Sequence, residues 1–117
     1  MDEKFQQISI EQLDSVSFGD EEFKKELIEI FLEQIPEFIS NMKKFFAKDD
    51  LENLAKEAHT AKSSALIFGM TDTGTSLKEI QLLAEGKVLE QLSALLQKVE
   101  LELIDAKKQL QSVLSNL

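Results

Sequence analysis

The sequence predicts an all-α fold, an antiparallel four-helix bundle preceded by a short N-terminal helix. Three observations predict it. The chain has 4 Gly and 1 Pro in 117 residues, too few for the frequent turns of a β-sandwich or barrel. Its composition, 43% hydrophobic and 30% charged, is that of a globular core with a solvated surface. Apolar residues also recur at three- and four-residue steps over long stretches. The length suits a single domain over residues 1–117, since two full cores would not fit comfortably.

The first helix is predicted from about Ile8 to Val16, with Ser9 as N-cap and Gln12 at capping-box spacing. Ser17-Phe18-Gly19 ends it. Asp20 caps a long second helix, where Glu21 and Glu22 suit the positive end of the helix dipole. Its stripe is Phe23, Leu27, Ile30, Phe31, Gln34, Phe38, Met42 and Phe45, running to about Ala47. Pro36 lacks a backbone donor and crowds the preceding turn, so a kink or break is expected there.

Asp49 is expected to open the third helix, with Glu52 at capping-box spacing. Its stripe is Leu51, Leu54, Ala58, Ala61, Ala65 and Phe68, and Gly69 stops it. A fourth helix is predicted from about Thr71 to Glu85, with Leu77, Ile80 and Ala84 inward and Gly86 at its end. The fifth is predicted from about Lys87 to Ser115. Its near-heptad stripe of Val88, Leu92, Leu95, Val99, Leu103, Ala106, Leu110, Val113 and Leu117 suits low-angle packing. The eight phenylalanines read mostly as core, and Glu100, Glu102 and Asp105 as a solvated face.

Charge and residue usage narrow the function. Thirteen basic against 22 acidic residues leave a formal net charge of −9, which offers little attraction to nucleic acid or anionic membrane. The absence of cysteine excludes disulfides and thiolate metal sites and fits a reducing compartment. The polar start, Met1-Asp2-Glu3-Lys4, predicts no signal peptide, and the apolar runs are too short for a membrane span. Phosphate-binding loops, nucleophile elbows and zinc-protease motifs are missing. One histidine cannot complete a His/Cys metal site or a carboxylate di-metal bundle.

That histidine, His59, is the place where chemistry can sit. At about 100° per residue it lies about 130° from the centre of the third helix's apolar stripe, and so points off the core. Its i±4 neighbours, Ala55 and Ser63, are small; its i±3 neighbours, Lys56 and Lys62, are basic. Nearby cations disfavour a charged imidazole and favour an attached anion, while small residues let a partner approach. The plainer reading is an ordinary surface histidine on a lysine-bearing helix. Leu66 and Ile67, on the same side, suit either partner docking or packing under the next loop.

His59-x-x-Lys62-Ser63-Ser64 followed by Gly69 resembles the histidine-containing phosphotransfer (HPt) domain. That family's pattern is roughly His-x-x-Lys-Gly followed by small residues, with a later Gly. Ala58, Pro36 in the preceding long helix, Asp49-Asp50 and a polar residue in the following helix agree with it, so the resemblance covers essentially the whole chain. It implies that His59 accepts a phosphoryl group, that Lys62 supports that group, and that Gln81 occupies a position beside the imidazole. The sequence departs from the pattern at Ser63, where the family has Gly, and the second small residue is Ala65. The Ser63 hydroxyl could bond a phosphoryl oxygen or crowd a partner. Lys56 is a secondary charge that matches no family position.

The resemblance implies a phosphorelay intermediate that takes a phosphoryl group from one receiver-domain aspartate and passes it to another. The implied partners are response-regulator receiver domains, with a hybrid sensor histidine kinase as a further candidate. No cofactor is expected on this chain, and Mg²⁺ is expected on the partner receiver. The chain would be a monomeric cytoplasmic carrier without kinase or other enzyme activity. The alternative is a non-catalytic acidic helical domain that dimerises or binds a partner helix through its last helix.

Overall fold

A computed structural model describes residues 7–117. Its elements are α1 (Ile10–Val16), α2 (Glu21–Ala47), α3 (Leu51–Ile67), α4 (Thr71–Glu85) and α5 (Leu92–Ser115). Going round the bundle, α2 packs on α3, α3 on α4, α4 on α5, and α5 returns to α2. Among the described residues there is no strand. Among the same residues no helix is long and apolar enough to cross a membrane.

The first three helices begin at side-chain caps. Ser9 Oγ accepts from the Gln12 N–H, Asp20 from Phe23, and Asp50 from Asn53. Each oxygen satisfies a backbone donor that has no partner within its helix. The cap of α3 is therefore Asp50, one residue later than expected. Hydrogen bonds from the side chain and backbone of Asn53 hold the Asp50 carboxyl below its ordinary value of 3.8.

Asp49 instead ends α2 in the left-handed region, at φ 57°. The Asp50 N–H bonds the Phe45 carbonyl and the Asp49 N–H bonds that of Phe46, the paired closure of a Schellman motif. The same closure ends α1 at Phe18, α3 at Gly69 and α4 at Lys87. At α1 Phe18 comes before the left-handed Gly19, so only α3 has glycine as its first left-handed residue. There the requirement is double, because φ is +72° and a Cβ would come 2.5 Å from Ser9 Cβ. Gly86, expected as the stop of α4, is its C-cap, and the left-handed turn is made by Lys87. Consequently α5 begins at Leu92, not at Lys87.

α2 runs unbroken through Pro36. Its buried residues are Ile28, Phe31, Ile35, Phe38 and Met42, so the inward stripe is rotated from the expected one. Ile28 and Ile35 replace Ile30, which is 54% exposed, and Phe23, which is also exposed. Phe31 stacks on Phe68 with ring centroids 4.6 Å apart, joining α2 to the end of α3. Phe18 departs from the expected phenylalanine core, being 90% exposed in the α1–α2 turn.

The inner side of α3 is built from small residues: Ala55, Ala58, Ala61 and Ala65 are all buried. Small side chains let its neighbours approach closely. On the α4 side Gly74 serves the same end, since a Cβ there would lie 2.8 Å from Leu66 Cδ2. Val99, Leu103, Ala106 and Leu110 of α5 are fully buried. The middle of the near-heptad stripe that suggested a dimerisation helix is thus used inside the chain's own core, whereas Val88 and Leu117 at its two ends are exposed.

Candidate phosphoryl-accepting site on α3

His59 lies in the middle of α3 and is exposed, as its angular offset from the apolar stripe predicts. The flanking Ala58 and Ala61 are fully buried. They fix the helix face and thereby aim the imidazole outward. On the neighbouring helix α4, Gln81 reaches the ring: its Oε1 lies 3.2 Å from His59 Nδ1. Gln81 Nε2 donates to Glu85 Oε2 at 3.1 Å. The imidazole is therefore held at one nitrogen and open at the other.

An open groove runs beside the ring between α3 and α4. It is lined by Ala55, Lys56, His59, Gln81, Glu85 and Lys87, among others. Ala55 is both buried and part of this wall; a larger side chain there would fill the groove. Lys56 stands in the groove, 3.4 Å from Glu52 in an exposed ion pair. Such pairs contribute little to stability, but this one offsets part of the Lys56 charge.

Lys62 lies on the other side of the ring, half-buried and outside the groove. Its stem passes near Gly74, whose hypothetical Cβ would be 3.9 Å from Lys62 Cγ. Among the described residues it is in no salt bridge. The Ser63 hydroxyl points back along α3 and donates to the His59 carbonyl at 3.4 Å. This is a local side-chain-to-backbone bond within the helix. Leu66 and Ile67 are exposed at 42% and 38%, and Leu66 also packs beside Gly74 at the start of α4.

The structure thus gathers His59, Gln81, Lys56 and Ala55 at the groove, with Lys62 and Ser63 flanking them on α3. Glu85 and Lys87 join the groove without having been singled out in the sequence. The Gln81-x-x-x-Glu85 spacing was the available signal, because residues four apart on a helix face each other. Chemically, the site offers an accessible nitrogen lone pair, a fixed hydrogen-bond partner behind it and cations on either side.

Comparison with known proteins bears on the family and the fold. The family model described as Hpt domain matches residues 26–116. A curated relative, the phosphorelay intermediate protein YPD1 of Candida albicans, is 32% identical over 62 residues, covering 53% of this chain and 34% of that protein. The aligned stretch therefore spans about a third of that relative's length. The crystal structure of histidine-containing phosphotransfer protein B (HptB) from Pseudomonas aeruginosa superposes with a TM-score of 0.89. The match covers 97% of this chain and 99% of that one at 18% identity, and so speaks to the fold.

Proposed function

This chain belongs to the Hpt domain family, and on that premise we propose that it is a phosphorelay intermediate with His59 as its phosphoryl acceptor. The observation that carries the proposal is the setting of the one histidine. It is exposed on a rigid helix, bonded at Nδ1 by Gln81, and free at its other nitrogen.

The transfer needs little from this chain beyond position and charge. The His59 Nε2 lone pair attacks phosphorus in the aspartyl phosphate of a receiver domain. A P–N bond forms as the bond from phosphorus to the carboxylate oxygen breaks, and the aspartate leaves as carboxylate. Attack by a second receiver's aspartate reverses the bond changes and returns the imidazole. Lys62 supports the dianionic phosphoryl group, and Lys56 adds a weaker, partly offset charge. Ser63, turned to the backbone, leaves room for the incoming group. The receiver brings Mg²⁺ to offset phosphoryl charge. Leu66 and Ile67 supply apolar contact beside the ring. The carrier acts as a monomer in the cytoplasm and has no kinase activity of its own.

The test is incubation with receiver domains charged from labelled acetyl phosphate. The expected result is acid-labile, alkali-stable label on this chain, as a phosphoramidate gives. Acid-stable label, kept after His59→Gln, would place the acceptor on a hydroxyl and sink the proposal.

A further inference from the structure

Gln81 stands between two groups that together dictate how its amide lies. An amide has an acceptor end and a donor end of nearly equal size. Glu85, one turn further along α4, removes the choice. An ionised carboxylate only accepts hydrogen bonds, so the NH₂ end must face it, and the two are 3.1 Å apart. The Oε1 end then faces His59, at 3.2 Å from Nδ1. A carbonyl oxygen only accepts, so Nδ1 must carry a proton. In a neutral imidazole the other nitrogen then holds the lone pair.

We propose that Glu85 is a positioning residue: by orienting the Gln81 amide it holds His59 in the Nδ1–H tautomer and leaves Nε2 as the nucleophile. Its relevance to transfer rests on the carrier reading above, whereas the tautomer itself does not. Among the described residues Glu85 is in no salt bridge, and its carboxylate accepts from the Gln81 amide. The other charges lining the groove are Glu52, Lys56 and Lys87, and Glu52 and Lys56 pair with each other.

The same chain serves both directions of transfer. When Nε2 takes the phosphoryl group and Nδ1 keeps its proton, the ring gains a positive charge. Gln81 Oε1 accepts the Nδ1–H bond, and the Glu85 carboxylate behind it offsets that charge. A ring that keeps its proton is also the better leaving group for onward transfer. The proton stays on Nδ1 throughout.

The single histidine makes the test direct, because a ¹⁵N imidazole spectrum contains one ring. At a pH where the ring is neutral, the parent is expected to show mainly Nδ1–H. Glu85→Ala should move the population toward Nε2–H, the form that free histidine prefers in water. It should also slow transfer about three- to tenfold, the scale of one ordinary hydrogen bond. Gln81→Glu placed in the Glu85→Ala background should restore Nδ1–H, since a carboxylate accepts through either oxygen. A tautomer ratio unchanged by Glu85→Ala, or a parent already in the Nε2–H form, would overturn the proposal. Failure of label to reach His59 in the parent would instead overturn the carrier reading, and the spectrum would still decide the role of Glu85.

Discussion

Two hydrogen-bonded chains leave α4 in different directions, and they differ in how they end. Toward α3, Gln81 joins His59 to Glu85 in the open. Toward α5, Thr73 Oγ1 donates to Glu102 Oε1 at 2.9 Å, and Lys98 Nζ donates to Ser76 Oγ at 2.8 Å. Lys98 and Glu102 then close the circuit at 3.0 Å. Thr73 and Ser76 are 1% and 4% exposed. In the inner circuit every member has a partner within the circuit. Its effect is to fix the register of α4 on α5, since a slip would leave buried polar groups unpaired. The outer chain stops at an imidazole with an unused lone pair facing solvent. One helix thus carries a structural circuit and a chemical one, distinguished by whether the last atom has a partner.

The sharpest way to break this comparison is to remove the end of the outer chain. His59→Gln should abolish phosphoryl acceptance while leaving the unfolding midpoint close to the parent's, because the ring is exposed. A large loss of stability in denaturant titrations would show that the outer chain is structural after all. Lys62→Ala comes next. A charge-assisted contact contributes on the order of 1.5–3 kcal/mol, so transfer should slow by roughly ten- to a hundred-fold with folding nearly unchanged. Lys56→Ala should have a smaller effect, since Glu52 already offsets that charge. Equal losses in stopped transfer assays would mean that a diffuse positive field, not a specific lysine, supports the phosphoryl group.

The inner circuit should answer in the opposite way. Glu102→Ala removes the acceptor of both Thr73 and Lys98. Leaving a buried donor unsatisfied costs about 1–3 kcal/mol, which a denaturant midpoint would register. Transfer per folded molecule should stay at the parental rate. If transfer fell and stability did not, the two circuits would be coupled through α4, and the division between them would fail.

The two circuits were also unequally legible in the sequence. His59 could be placed on the outside because its offset from Leu54, Ala58, Ala61 and Ala65 is a matter of helical angle alone. Gln81 entered only through the family resemblance, because its approach to His59 depends on how α4 packs on α3. The inner circuit was hidden, and Glu102 was read as part of a solvated face. Which side of α5 meets α4 depends on how the helices turn on one another, and Thr73 and Ser76 are not apolar enough to signal burial. The same rotation explains α2, where Leu27 and Ile28 are adjacent and equally apolar, yet Ile28 is the buried one. The helix ends expected at Val16, Ala47, Glu85 and Ser115 are the observed ones, but the starts of α3 and α5 lie one and five residues later than expected, for a different reason. Asp49 and Lys87 adopt positive φ without being glycine, so the left-handed turns that precede these two helices are not marked by a glycine at that position.

The smallest expected effect lies between the circuits, at Gly74, which is next to Thr73 in sequence and faces α3. A Cβ there would lie 2.8 Å from Leu66 Cδ2 and 3.3 Å from Leu66 Cγ. Leu66 is 42% exposed, so the tip of its side chain can swing toward solvent and relieve the contact. Alanine also suits a helix interior better than glycine, by roughly 0.5–1 kcal/mol. The two terms oppose each other, and Gly74→Ala should leave stability within about 1 kcal/mol of the parent. The displaced Leu66 would stand differently beside His59, however. If the patch of Leu66 and Ile67 docks a receiver, the variant should accept phosphate from acetyl-phosphate-charged receiver with a higher half-saturating concentration and a similar maximal rate. A drop in maximal rate alone would mean that Gly74 acts through the inner circuit. A large loss of stability would mean that α3 and α4 lack the space between them that the exposed Leu66 tip implies.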